Sequence, residues 1–121
     1  MGTYTDIVAI VAPAEALAGE LVNVEARVQN LAGYAIYIST SGKFDNTIFN
    51  LYPEYATVGA GVTHSFSGSF TMPNKGVRVY VWSYYWNGEQ WRVDDEAYVD
   101  IALKELVPEF SGFGLTEYTR V

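Results

Sequence analysis

The sequence contains no cysteine and a single histidine. Without cysteine there is no disulfide, no thiolate nucleophile and no Cys-ligated zinc or iron–sulfur site. The lone His64 leaves zinc or copper to be held mostly by carboxylates, which those metals rarely accept. Residue types therefore point to no cofactor. Basic residues are also few: Lys plus Arg is 7 against 14 Asp plus Glu, a net charge of −7. Such a chain gains little from counterion release, so nucleic acid is an unsuitable partner. Anionic membrane surfaces repel it for the same reason. No apolar run approaches the ~18–20 residues that a membrane-spanning helix requires, so membrane insertion is not expected. Met1 to Asp6 lacks a basic region followed by an apolar one, and no signal peptide is read in this chain.

What remains is a chain of 121 residues, one domain's worth, half of it hydrophobic and 17% charged. Those proportions predict a packed fold rather than disorder. Aromatics are in surplus at 16%, with ten Tyr, six Phe and three Trp.

The patterning is that of strands. Val22, Val24, Ala26 and Val28 alternate with Asn23, Glu25, Arg27 and Gln29, the period of a strand with one wet face. His64, Phe66, Gly68, Phe70 and Met72 alternate with a Ser/Thr series in the same way. Residues 4–11, 34–39 and 47–52 predict shorter strands, and Gly42 to Asn46 has the composition of a loop. Val77 to Trp86 predicts a long strand, Asn87-Gly88 a hairpin turn, and the return strand starts near Trp91, is interrupted at Asp94-Asp95-Glu96 and resumes to Leu103. Turn signals every ~8–12 residues and the lack of a helical pattern predict an all-β fold: an antiparallel β-sandwich of seven to eight strands over residues 1–103. Residues 104–121 form a C-terminal extension. Its spaced Phe110, Phe113, Leu115 and Tyr118 predict an arm that packs on its own domain or on a neighbouring subunit.

Catalytic chemistry finds few candidates. A nucleophile triad would set His64 beside a serine, but Ser65 and Ser67 fall on the opposite face of the same strand, and no nucleophile-elbow motif is present. Asp94, Asp95 and Glu96, with Asp100 nearby, are the one acidic cluster. Their oxygens suit calcium; the competing reading is a solvated bulge that bends the last strand. Gly59-Ala60-Gly61 lacks the lysine and hydroxyl of a phosphate loop. An enzyme is not expected.

The aromatic hairpin is the informative feature. Strand parity puts Val77, Val79, Val81, Ser83 and Tyr85 on one face and Arg78, Tyr80, Trp82, Tyr84 and Trp86 on the other. Trp91 and Val93 join the second face across the turn. If the valines are core, then Tyr80, Trp82, Tyr84, Trp86 and Trp91 face outward as an interaction or ligand face. Three explanations compete for it: cover by the C-terminal arm, cover by another subunit or partner protein, or an open platform that stacks sugar rings. The sugar reading needs polar side chains beside the rings, and Gln90 and Arg92 fall on the wrong parity.

One resemblance goes beyond these patterns. Pro13 followed by Gly19-Glu20-Leu21-Val22-Asn23-Val24-Glu25-Ala26-Arg27-Val28-Gln29-Asn30 resembles the second strand of bacterial and archaeal immunoglobulin-like domains of the CARDB-like, cell-adhesion-related type. Ser65-Phe66-Ser67-Gly68-Ser69-Phe70-Thr71-Met72-Pro73 is similar to that family's later serine-rich strand. The resemblance covers about residues 4–103 and implies a binding or structural role rather than catalysis. Such domains occur in secreted adhesion proteins, and single immunoglobulin-like domains occur in phage virions. The expectation is a non-catalytic module that self-associates, as a homo-oligomer, or docks on a larger assembly at a virion or extracellular surface. A carbohydrate-binding module, with a glycan as partner, is the alternative.

Overall fold

In a computed structural model, which describes residues 1–105, nine strands form two packed sheets, and no helix occurs among the described residues. They are β1 (Thr5–Val11), β2 (Glu15–Ala16), β3 (Leu21–Asn30), β4 (Ile36–Phe44), β5 (Thr47–Phe49), β6 (Tyr55–Val58), β7 (Thr63–Thr71), β8 (Val77–Trp86) and β9 (Trp91–Leu103). One sheet has the order β1-β3-β7; the other runs β2-β9-β8-β4-β5, with β6 also paired to β4. All pairs are antiparallel except the short β2–β9 pair. This is the expected all-β, immunoglobulin-like sandwich, with nine strands in place of seven or eight. The arm residues Phe110, Phe113, Leu115 and Tyr118 lie outside the described residues.

The alternating positions do what their period predicts. Val22, Val24, Ala26 and Val28 of β3 and Phe66 and Phe70 of β7 are buried and meet Ile38 of β4 and Val77, Val79 and Val81 of β8. Phe70 stacks on Phe44 of β4 with centroids 4.1 Å apart, joining the sheets through paired rings. His64, half-buried at the end of its stripe, lies edge-on to Phe66 at 5.1 Å. Gly68 interrupts that stripe for a steric reason. A Cβ there would fall 2.0 Å from the Asn50 carbonyl oxygen, because the segment after β5 crosses at this point and Tyr52 exchanges two backbone bonds with Ser67.

Three sequence expectations are corrected. Gly42-Lys43-Phe44 is strand, not loop: it pairs with β5 on one side and β8 on the other, and these two ladders override loop-like composition. The predicted strand over 47–52 stops at Phe49, and Tyr52 makes only an isolated bridge. The last strand is continuous from Trp91 to Leu103; at the acidic residues it bulges rather than breaks.

Candidate functional site

Ring chemistry is sorted by position. The phenylalanines among the described residues belong to the core: Phe49, Phe66 and Phe70 are buried and Phe44 packs against them. All three tryptophans lie on the outward face of the six-stranded sheet. The pairing Ser41↔Trp82, Tyr84↔Val93 and Trp86↔Trp91 places these side chains on one surface. Tyr80 and Tyr84 of β8 are half-buried on that surface, as the parity of the strand requires. The inward residues of the same strand, Val77, Val79, Val81 and Ser83, are buried.

The face is larger than the hairpin. Tyr37 of β4 and Tyr55 of β6 extend it on one side, since Ser39 pairs with both Tyr55 and Tyr84. Tyr98 extends it on the other, opposite Tyr80. A single residue accounts for Tyr98. Ser83 pairs with Asp95 and Tyr84 with Val93, so Asp94 is an extra residue in β9. Trp91 and Val93 before it, and Glu96, Tyr98 and Asp100 after it, therefore share the outer face although their numbers differ in parity.

The two ends of this face differ. At the start of β8, Tyr80 and Trp82 stack at 5.7 Å and 17°, and Tyr98 lies 6.0 Å from Tyr80. The Arg78 guanidinium sits 4.2 Å over the Tyr98 ring and forks onto Asp100 at 2.8 and 3.3 Å. That bidentate pair lowers the Asp100 pKa and raises that of Arg78. The Arg78–Asp100 pair covers part of this row, in which Tyr80 and Tyr98 are tilted at 54°. At the hairpin end no pair is stacked: Trp86 to Trp91 5.4 Å and 66°, Tyr55 to Trp91 6.1 Å and 51°, Tyr37 to Tyr55 6.0 Å and 80°. Trp86 and Trp91 remain 37% and 39% exposed.

The hairpin loop is held locally. Asn87 Oδ1 accepts from the N–H groups of Glu89 and Gln90, Asn87 N–H donates to the Gln90 carbonyl, and Gly88 takes φ +100°. This four-residue loop fixes Trp86 opposite Trp91. The buried Asn30 amide donates to the carbonyls of Tyr34, Val58 and Gly59, which secures the end of β6.

Shallow clefts open between these side chains. One of about 420 Å³ is lined by Tyr37, Glu54, Tyr55, Trp86 and Trp91. A second, about 320 Å³, shares Glu54, Tyr55 and Trp91 with it and adds Ser39, Ser41, Asn50 and Ile48. A third, about 480 Å³, shares Ser41 and Ile48 with the second and reaches Lys43, Trp82, Tyr84 and Val93.

The acidic cluster has a different use from the calcium site considered above. The Asp94 carboxylate accepts from the N–H groups of Thr3, Tyr4 and Thr5 and from the Thr5 hydroxyl, at 2.7–3.1 Å. Asp95 accepts from Ile7 N–H at 2.9 Å and meets the terminal ammonium at 3.2 Å. Burial works against the Asp95 charge, but the N–H groups of Ile7 and Glu96 and the ammonium outweigh it, and its pKa is lowered. Glu96 lies across the strand beside Trp82. The three carboxylates thus do not converge; two of them clip β1 to β9 along one edge of the sandwich, reinforced by the buried Thr5–Ser83 hydroxyl contact at 2.7 Å. Among the described residues no three His, Cys, Asp or Glu side chains are grouped as metal ligands.

No known protein family profile matches the chain, and no curated protein matches it. Solved structures do. The CARDB domain of a Pyrococcus furiosus protein, solved in complex with di-metal ions, superposes with a TM-score of 0.64 over 85% of this chain and 91% of that one, at 14% identity. A chain of the complex between Zinc 2-glycoprotein and prolactin-inducible protein from human seminal plasma gives 0.57 over 84% and 98%, at 9% identity. Escherichia coli alpha-2-macroglobulin gives 0.56 over 78% of this chain but 6% of its own, at 14% identity. At these identities the likeness is one of fold: an immunoglobulin-like sandwich of the kind a CARDB domain adopts.

Proposed function

We propose that this chain is a non-catalytic attachment module, a structural unit of a virion or cell surface, and that its working surface is the aromatic face of the six-stranded sheet. The observation that carries the reading is the gathering of all three tryptophans with Tyr37, Tyr55, Tyr80, Tyr84 and Tyr98 on one outward surface. At ~150–250 Å² per ring, with Tyr37, Tyr55 and Tyr98 about half exposed and the other five less, these eight side chains present on the order of 500 Å². Patches of that size stand at the top of the range for monomers and are commonly functional. Tyr and Trp are also the usual anchors of protein contacts.

Copies of the chain meet through Tyr80 and Tyr98, beside Arg78, which line none of the clefts described above. Light scattering over a concentration series tests this. The expected result is a mass above that of the monomer that falls to the monomer when Tyr80→Ser and Tyr98→Ser are combined. A monomer mass at every concentration up to millimolar overturns the self-association.

A further inference from the structure

We infer that the open end of the aromatic face is a binding groove for an uncharged polysaccharide chain. The inference rests on the reading of this face as a contact surface, but it concerns a different part of it and a different class of partner.

The shape of the site comes first. The three clefts share residues in sequence, so they form one open track that crosses β6, β4, β8 and β9 rather than an enclosed cavity. A track suits a section of a long chain; small ligands are usually enclosed.

The walls come second. Trp86, Trp91, Tyr55 and Tyr37 each pair an apolar ring with a polar handle, whereas the Phe side chains among the described residues pack in or against the core. A surface that exchanges water for a ligand bearing both C–H faces and hydroxyl edges uses both parts of such a side chain, and a pyranose ring has both.

Polar side chains come third. Their absence counted against sugar when only the hairpin was in view. They are supplied from other strands and loops: Glu54, which lines two of the clefts, and Asn50, which lines one of them and whose amide donates to the Tyr52 hydroxyl at 3.2 Å. A carboxylate accepts two hydroxyl protons at once, and an amide both donates and accepts.

Charge selects among polymers. Glu54 sits in the track, Lys43 is the one basic side chain lining it, and the whole chain carries −7. Acidic polysaccharides and nucleic acids are repelled, and an uncharged chain is not.

Affinity electrophoresis of the intact chain through gels containing soluble neutral glucan, mannan or xylan, with polygalacturonate as the acidic comparison, tests the inference. At least one neutral polymer is expected to retard the protein, and polygalacturonate is not. Trp91→Ala and Trp86→Ala are each expected to weaken retardation by about tenfold with the melting temperature kept, as loss of one stacking ring implies. Glu54→Gln weakens it less, whereas Ser69→Ala on the opposite face leaves it unchanged. Migration unaffected by every neutral polymer overturns the inference, as does equal retardation by polygalacturonate or by the Trp91 variant. If retardation fails while the mass of the Tyr80/Tyr98 variant still falls, the groove assignment is wrong and the contact surface stands.

Discussion

Along β7, Thr63, Ser65, Ser67, Ser69 and Thr71 point away from the core; along β8, Arg78, Tyr80, Trp82, Tyr84 and Trp86 do the same on the other sheet. The inward sides of the two strands are alike: Phe66 and Phe70 on one, with Met72 just beyond its end, and Val77, Val79 and Val81 on the other, all buried. Beside β7, β3 adds Glu25, whose carboxylate takes bonds from Arg27 and Ser65. These partners, Arg27 first, lower the Glu25 pKa. One sandwich thus carries a hydroxyl face and an aromatic face over a common core. The hydroxyl face shows what the fold itself asks of an outward surface, which is strand propensity and water. Rings on the other face exceed that requirement, and the excess is the measure of function.

The comparison holds only while both sheets keep their places, so the largest effect is expected from the clip between them. Asp94→Ala removes an acceptor from three backbone N–H groups and a hydroxyl, and should cost about 3 kcal/mol in urea unfolding. Acid should act on the same clip more gently. The folded-state pKa of Asp95 lies below its ordinary 3.8. Its contribution is therefore full above about pH 4 and is lost as pH falls through the lowered value. Asp95→Asn should flatten the acid limb of a stability–pH curve, and a variant with an unchanged limb would show that other carboxylates dominate.

Stripping the aromatic face sharpens the contrast. Trp86→Ala and Trp91→Ala together should lower stability by less than ~1 kcal/mol, since both side chains are already partly in water. A loss of several kcal/mol would mean that the rings serve the fold, and the functional reading would fall. The smallest effect belongs to the opposite face: Ser69→Ala should stay within ~0.5 kcal/mol by the same measurement.

Much of this was legible in the chain. The two period-two strands, the valine side of β8 and the aromatic hairpin follow from alternation alone, because each inward residue must leave water. What was not legible depends on distant pairing. Tyr37 and Tyr55 join the face only because β6 docks on β4, and nothing local to residues 55–58 announces a strand. Glu54 and Asn50 reach the track through the same docking, so the polar complement of the groove was invisible. Tyr98 is hidden for a different reason. The acidic triplet suggests a bulge, but strand parity holds only as far as Val93, and the extra residue reverses it afterwards.

That bulge makes residue count, as much as residue identity, a coded property of β9. Substitutions at Trp91, Val93, Glu96 or Tyr98 alter one side chain each. Deleting Asp94 would make Val93 and Asp95 neighbours, so the ladder to β8 would run without a break, with Tyr98 still outward and Ala97, Val99 and Ile101 still inward; what would be lost is the carboxylate that holds β1. A deletion beyond the bulge, between Glu96 and Ile101, would instead turn over the residues after it. Sequences descended from this one should therefore tolerate a lost residue at position 94 far better than one further along β9.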